Sequence, residues 1–433
     1  MSPCVIGLIG LAILILLLFA RIPVGFAMAI VGFAGFVKLV NLDAAMSLLA
    51  RDVFSTLSSY GLTVIPLFIF MGQVSFHAGI SRRLYDTAYA FIGHRPGGLA
   101  MATVGACTAF GAICGSSPAT AATMATVALP EMKRYNYSME LATGAVASGG
   151  SLGMLIPPSV VFIVYGIMTE QSIGKLFMAG ILPGLLIASL FCLAITLSCR
   201  RNPALGPPGP KTSWQGRIQS LKGTGETLLL FILVMGGLFA GLFTPTEAGA
   251  IGAFCSIIIA VIGGNLSVAK LKLSLFESTR TACMVMMIVT GAVIFGHFLA
   301  VTRIPFDLAS WVGTLPLPRF VVMMVIIAVY LLGGCFIDAL ALILLTVPIF
   351  YPVILALNYD PIWFGVIIVL VTQMGVISPP VGINVYVVKG VAPEIPLGTI
   401  FKGVIPFLVA LIVGTILLIA LPQISLFLPG LMR

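Results

Sequence analysis

Long apolar runs, each closed by a short polar or Pro/Gly interruption, fill this chain from end to end. A run of roughly 17–25 apolar residues is what a helix needs to cross about 30 Å of hydrocarbon. Cys4–Ala20, Val24–Val40, Gly61–His77 and Ile173–Leu197 read as spans. Leu228–Phe243, Ala248–Gly263, Ala282–Val301 and Val404–Leu421 read the same way. Asn41–Thr56 and Leu266–Thr279 mix charged with apolar residues and predict helices lying along the interface. Two further runs are interrupted midway. Gly97–Gly115 reaches Gly115-Ser116-Ser117-Pro118 and returns as Thr120–Leu129, an arm too short to cross at about 1.5 Å per residue. Phe320–Phe336 and Leu340–Leu355 flank a tip that carries Asp338. Each predicts a re-entrant hairpin, over 97–132 and 320–355.

Two crossings are broken rather than turned. The run 141–168 is interrupted by Gly149-Gly-Ser-Leu-Gly153 and Pro157-Pro158, and the run 364–391 by Gly375 and Pro379-Pro380. The two Pro pairs lie 222 residues apart (379 − 157), as do Pro23 and Pro245. The chain therefore reads as two copies of one unit, 1–198 and 225–433, joined by a linker at 199–224. A hairpin adds no crossing, so each copy holds an odd number of spans and the second enters the bilayer inverted. The expected fold is an all-α polytopic membrane protein of two inverted-topology repeats. Paired broken helices in such repeats hold ions and substrate in secondary transporters.

Composition agrees. Of 433 residues 60% are hydrophobic and 8% charged, and mean hydropathy is +1.18. The net charge of +9 does not point to nucleic acid. Arg21, Arg82, Arg83, Arg95, Lys133, Arg134 and the bases of the linker fall on one side, which the positive-inside rule makes cytoplasmic. The N-terminus is then expected in the periplasm and the linker in the cytoplasm. The eight cysteines form no Cys-x-x-Cys and read as small buried hydrophobes. No nucleotide-binding Gly-x-x-x-x-Gly-Lys-Ser/Thr or His-Glu-x-x-His occurs, and the Gly-x-Ser-x-Gly spacing at Gly149–Gly153 lies inside an apolar run rather than on the strand-to-helix elbow of a hydrolase, which argues against ATP drive within the chain and against hydrolytic enzymes.

Candidate chemistry sits at the interruptions. Gly115, Ser116 and Ser117 offer hydroxyls and carbonyls freed from helical bonding, and the facing prolines free more. Several neutral oxygens without a carboxylate cage suit sodium better than a divalent ion; close helix packing is the structural alternative. Asp338, an intramembrane carboxylate, could ligate a cation, carry a proton, or cap the helix that follows. Half-helices begin at Pro158-Ser159 and at Pro380, upstream of Asn384, so these four are candidate substrate contacts for an anion. Thr244-Pro-Thr-Glu247 reads as a capping box. Lys389 snorkels to the interface.

Arg21-Ile-Pro-Val-Gly-Phe-Ala-Met, Pro66-Leu-Phe-Ile-Phe-Met-Gly, Gly111-Ala-Ile-Cys-Gly-Ser-Ser-Pro-Ala-Thr, Ser148-Gly-Gly-Ser-Leu-Gly-Met-Leu-Ile-Pro-Pro-Ser and Phe243-Thr-Pro-Thr-Glu-Ala-Gly-Ala together resemble the large membrane subunit of TRAP (tripartite ATP-independent periplasmic) transporters, over essentially the whole chain. The resemblance implies an elevator-type, sodium-driven permease of a bacterial inner membrane. An extracytoplasmic substrate-binding protein would feed it, and a small four-helix membrane subunit, expected as a separate partner, would complete it. By motif, one sodium site involves Gly115, Ser116, Ser117, Gly153 and Pro157, the other Gly334, Asp338, Gly375 and Pro379. The cargo implied is an organic acid; Na+ is the only coupling ion and no organic cofactor is implied. The alternatives are a self-sufficient ion-coupled anion carrier or antiporter and, furthest from the pattern, an intramembrane enzyme built on Asp338 and a distant His.

Overall fold

A computed structural model describes residues 2–432; Met1, Arg433 and the side chain of Lys222 lie outside that description. Among the described residues every regular element is helical. The first half runs α1 (Pro3–Phe19), α2 (Val24–Leu39), α3 (Leu42–Leu57), α4 (Val64–His77), α5 (Ile80–Ile92), α6 (Gly98–Cys114), α7 (Ser117–Arg134), α8 (Met139–Ser151), α9 (Val160–Thr169) and α10 (Ile173–Arg201). The second runs α11 (Trp214–Phe231), α12 (Gly237–Phe239), α13 (Pro245–Ile262), α14 (Val268–Thr302), α15 (Ile304–Thr314), α16 (Arg319–Gly334), α17 (Ala339–Ala356), α18 (Pro361–Gly375), α19 (Ile383–Val391), α20 (Leu397–Ala420) and α21 (Gln423–Leu431). Among the described residues six helical stretches are long and apolar enough to cross a membrane, and six more are apolar but shorter.

Two packed groups organise these helices. In one, α14 lies along α2 and α4, and α4 also packs on α13. Small residues permit that approach. A Cβ on Gly32 would lie 2.8 Å from the Phe295 backbone, and one on Gly25 2.7 Å from the Met287 carbonyl oxygen. The capping box starts α13 as expected: Thr244 Oγ1 accepts from Glu247 N, and Glu247 Oε2 accepts from Thr244 N at 2.8 Å. In the other group α8 packs between α7 and α20, and α10 and α18 both contact α20. Tyr165 Oη donates to the Pro361 carbonyl at 2.6 Å, so the two broken crossings brace each other.

Several elements differ from expectation. Leu266–Thr279 and Ala282–Val301 were expected as an interfacial helix and a separate span, but α14 is one helix of 35 residues. No Gly or Pro stands between Val268 and Thr290, so nothing in the sequence ends it. The first-half counterpart is divided, because Ser58-Ser59-Tyr60-Gly61 separates α3 from α4. The polar patch around Arg82 and Arg83 is the amphipathic helix α5, with Ile80, Leu84, Tyr85 and Ala90 buried. The linker is mostly helical: α10 runs on to Arg201 and α11 begins at Trp214. The arm after Ser117 is also longer than expected, 18 residues ending at Arg134. α6 and α7 form a turned-back pair through the break between them and their mutual packing, not through shortness of the second arm. Lys389 Nζ does not run free to the interface; it donates to the carbonyls of Pro393 and Ile395.

Candidate functional site

The interruptions stand where the sequence puts them, and each break meets a partner. α6 ends at Cys114, Gly115 takes the left-handed conformation (φ +62°), and Ser116 is extended before α7 starts. Only a residue without Cβ fits at 115, because a Cβ would lie 2.5 Å from the Pro158 carbonyl oxygen. α8 gives way to a tight turn at Leu152–Met154, and the chain stays non-helical until Val160. A Cβ on Gly153 would sit 2.8 Å from Thr120 Oγ1 and 3.1 Å from the Ser116 carbonyl oxygen. The first tip and the first break are therefore in backbone contact. The second pair repeats this: a Cβ on Gly375 would lie 2.5 Å from Gly334 Cα and 2.8 Å from its carbonyl oxygen. Pro157-Pro158 and Pro379-Pro380 are both joined by cis peptides.

The two tips face one cavity. Gly115, Ser116 and Ser117 from the first, and Asp338, Ala339 and Leu340 from the second, line a space of about 110 Å³. Ile69 of α4 and Thr281, Met284 and Val285 of α14 close it from the other helix group. Ser116, half-buried, directs no side-chain cap at α7, whereas its carbonyl accepts from Thr120 N and Oγ1. Asp338 caps α17 through Oδ2, which accepts from Leu340 N at 3.0 Å, and the residue also lines the cavity. The capping and cavity-lining positions are thus held by one residue.

The remaining candidates are less open. Ser159 is buried, donates to the Met154 carbonyl at 2.5 Å and caps α9. Pro157 and Pro158 are buried, whereas Pro379 and Pro380 are exposed. Asn384 is fully buried: its Oδ1 accepts from Ser117 Oγ and its Nδ2 donates to the Ala147 carbonyl, both at 2.9 Å. Both ends of its amide are engaged inside the protein.

Further space follows α7 away from the tips. A cavity of about 240 Å³ is lined by Ala119, Ala122, Thr123 and Thr126 of α7 and by Glu277 of α14, whose Oε2 lies 2.9 Å from His77 Nε2. Thr126 and Val391 also border a third space of about 410 Å³ that ends at Lys133 and Glu394. The α14 lining (Thr281, Met284, Glu277) is not distinguished by sequence, which divides it between an interfacial helix ending at Thr279 and a span beginning at Ala282. An uninterrupted helical run through it was the available signal. Among the described residues no cluster of three His, Cys, Asp or Glu side chains could hold a metal ion. The donors at the tips are instead hydroxyls, backbone carbonyls and a single carboxylate, which fit a weakly held monovalent cation better than a caged divalent one.

Residues 11–424 match the family model of the tripartite ATP-independent periplasmic transporter, DctM component. The chain belongs to the TRAP transporter large-permease family. It is 38% identical over 395 residues to the C4-dicarboxylate TRAP transporter large permease protein of Pseudomonas aeruginosa, covering 91% of this chain and 92% of that one. It is 33% identical to the sialic acid TRAP transporter large permease protein of Vibrio cholerae, with 96% of each covered. An ectoine/5-hydroxyectoine large permease of Ruegeria pomeroyi is 29% identical, again with 96% of each covered. Among solved structures, the YdaH transporter of Alcanivorax borkumensis aligns over 90% of this chain and 88% of its own, with a TM-score of 0.56 at 15% identity. MtrF of Neisseria gonorrhoeae aligns over 89% and 85%, with a TM-score of 0.54 at 14% identity. At those identities the likeness is one of fold. As a TRAP permease the chain is a multi-span membrane transporter subunit, not an enzyme.

Proposed function

We propose that this TRAP permease takes up an organic acid by coupling its movement to sodium, with the meeting of the two tips at one cavity as the observation that carries the reading. Sodium would be held at each tip and its facing break: Gly115, Ser116, Ser117, Gly153 and Pro157 on one side, Gly334, Asp338, Gly375 and Pro379 on the other. The neutral oxygens of the first and the carboxylate of the second supply the donor types a small monovalent cation takes. The relatives named for C4-dicarboxylate, sialic acid and ectoine uptake support a small carboxylate-bearing cargo. A binding protein and a small membrane subunit complete the assembly, as the tripartite family name implies.

An elevator motion is the mechanism that suits this layout. The tip cavity lies between the two helix groups, so sliding one group against the other would carry the cavity across. Inverted repeats at 1–198 and 225–433 would make the two end states near mirror images. The space along α7 that ends at Lys133 fits a form open to the cytoplasm, given the basic side of the chain.

Vesicles holding the permease, its small subunit and the binding protein test this. Uptake of a labelled dicarboxylate or sugar acid should rise with an inward sodium gradient and stop when potassium replaces sodium. Equal uptake in both salts overturns the coupling.

A further inference from the structure

The bonding of Asn384 constrains the first tip itself. The residue is on α19, in the second half, but its side chain reaches across to two elements of the first. Its own N–H donates to the Val376 carbonyl at 3.0 Å, tying the two sides of the second break together. Its Nδ2 faces the Ala147 carbonyl, which can only accept. That fixes the amide: nitrogen toward Ala147, oxygen toward Ser117. Ser117 Oγ must then donate to Asn384 Oδ1. A serine hydroxyl has one proton and two lone pairs. With the proton committed to Asn384, what Ser117 keeps for the tip cavity it borders is acceptor capacity alone.

We propose that Asn384 is a positioning residue for the first tip: by taking the Ser117 proton it presents the Ser117 oxygen, lone pairs outward, as a cation ligand. The inference rests on the sodium reading above and says how one site is kept ready. The two halves solve the same problem differently. At the 222-residue offset Ser116 aligns with Asp338, Ser117 with Ala339 and Asn384 with Phe162. The second tip carries a formal charge and has no such relay. The first has only neutral oxygens, where an unfixed hydroxyl would spend part of its time pointing its proton at the cation. Burial makes the relay firm. Asn384 is fully buried and Ser117 nearly so, and an amide in such a place keeps its partners because losing them leaves it unsatisfied.

Thermal unfolding of the purified permease with its small subunit, titrated with sodium chloride against potassium chloride, reads ion binding without transport. Asn384→Ala and Ser117→Ala should each raise the half-saturating sodium concentration about five- to tenfold, the scale of one hydrogen bond. The double variant should add little to either, because the amide acts through the hydroxyl. Ser117→Thr, which keeps the hydroxyl, should raise the half-saturating sodium concentration less than Ser117→Ala does. Additive effects in the double variant overturn the proposal. So does an unchanged sodium response in Asn384→Ala accompanied by a raised KM for the acid, which would make the amide a direct substrate contact. If Asn384→Ala does not fold, Ser117→Ala alone decides: an unchanged sodium response overturns the relay. A wild type that shows no sodium preference over potassium fails the sodium reading itself, a different result from additivity in a sodium-specific protein.

Discussion

At the scale of single residues, glycine contacts explain why the breaks can meet the tips. Gly375 and Gly334 lie backbone to backbone, so Gly375→Ala must push the α16–α17 turn away from the second break. Overpacking of this kind costs about 1–3 kcal/mol. We expect Gly375→Ala to lose most transport and to melt several degrees lower. Gly296, on α14, has open space where a Cβ would go. Gly296→Ala should therefore keep transport and gain roughly 0.5–1 kcal/mol from better helix propensity. Thermal melts and uptake on the two variants separate tight contact from a general intolerance of alanine. These glycines were legible in sequence because breaks inside apolar runs need a reason. Asn384 was legible only as polar. Which way its amide points depends on Ala147, a residue 237 positions away whose sequence signal is nil.

At the scale of elements, the stretch from Cys199 to Thr224 is instructive. Its Pro, Gly and basic content reads as a loop, yet α11 starts at Trp214 and docks on α5. Arg83 Nη2 meets Glu226 Oε2 at 2.7 Å, and Thr87 Oγ1 bonds both the Ser220 carbonyl and Thr224 Oγ1. Composition hides this helix because its stability comes from tertiary partners on α5 rather than from an apolar stripe of its own. Limited proteolysis should cut at exposed Lys211, in the non-helical segment before Trp214, and spare Arg217. Cleavage at Arg217 as fast as at Lys211 would mean the helix is not docked. The Arg83–Glu226 pair is half-buried, so screening keeps Glu226→Ala to a cost of about 1 kcal/mol. That variant should loosen α11 to protease before it affects uptake. The breaker-free run of α14 is the opposite case: sequence holds the right signal, and the change of polarity near Thr281 falls within one helix rather than at its end.

At the scale of the molecule, a line of separate spaces follows α7 from the tip cavity to the one that ends at Lys133 and Glu394. The first-tip residue Ser116 and the far-end residue Thr126 border different parts of that line. In a background with the native cysteines replaced, Thr126→Cys should react with a membrane-impermeant thiol reagent from the cytoplasmic side, and bound substrate with sodium should slow it. Labelling only from the periplasmic side would reverse the assigned orientation. The all-helical membrane character, the two breaks and the family resemblance were readable from hydropathy and motif. The convergence of Ser116 and Asp338 on one cavity was not, because residues 222 positions apart meet only through the packing of α14 and α4 behind them.

The most direct test of that convergence as an ion site is equilibrium binding of radioactive sodium to the purified permease with its small subunit, comparing the wild type with Ser116→Ala and Asp338→Asn. Saturable binding that unlabelled sodium displaces and potassium does not, and that falls in each variant while both remain folded, is the expected result. Binding as strong in both variants as in the wild type would contradict it.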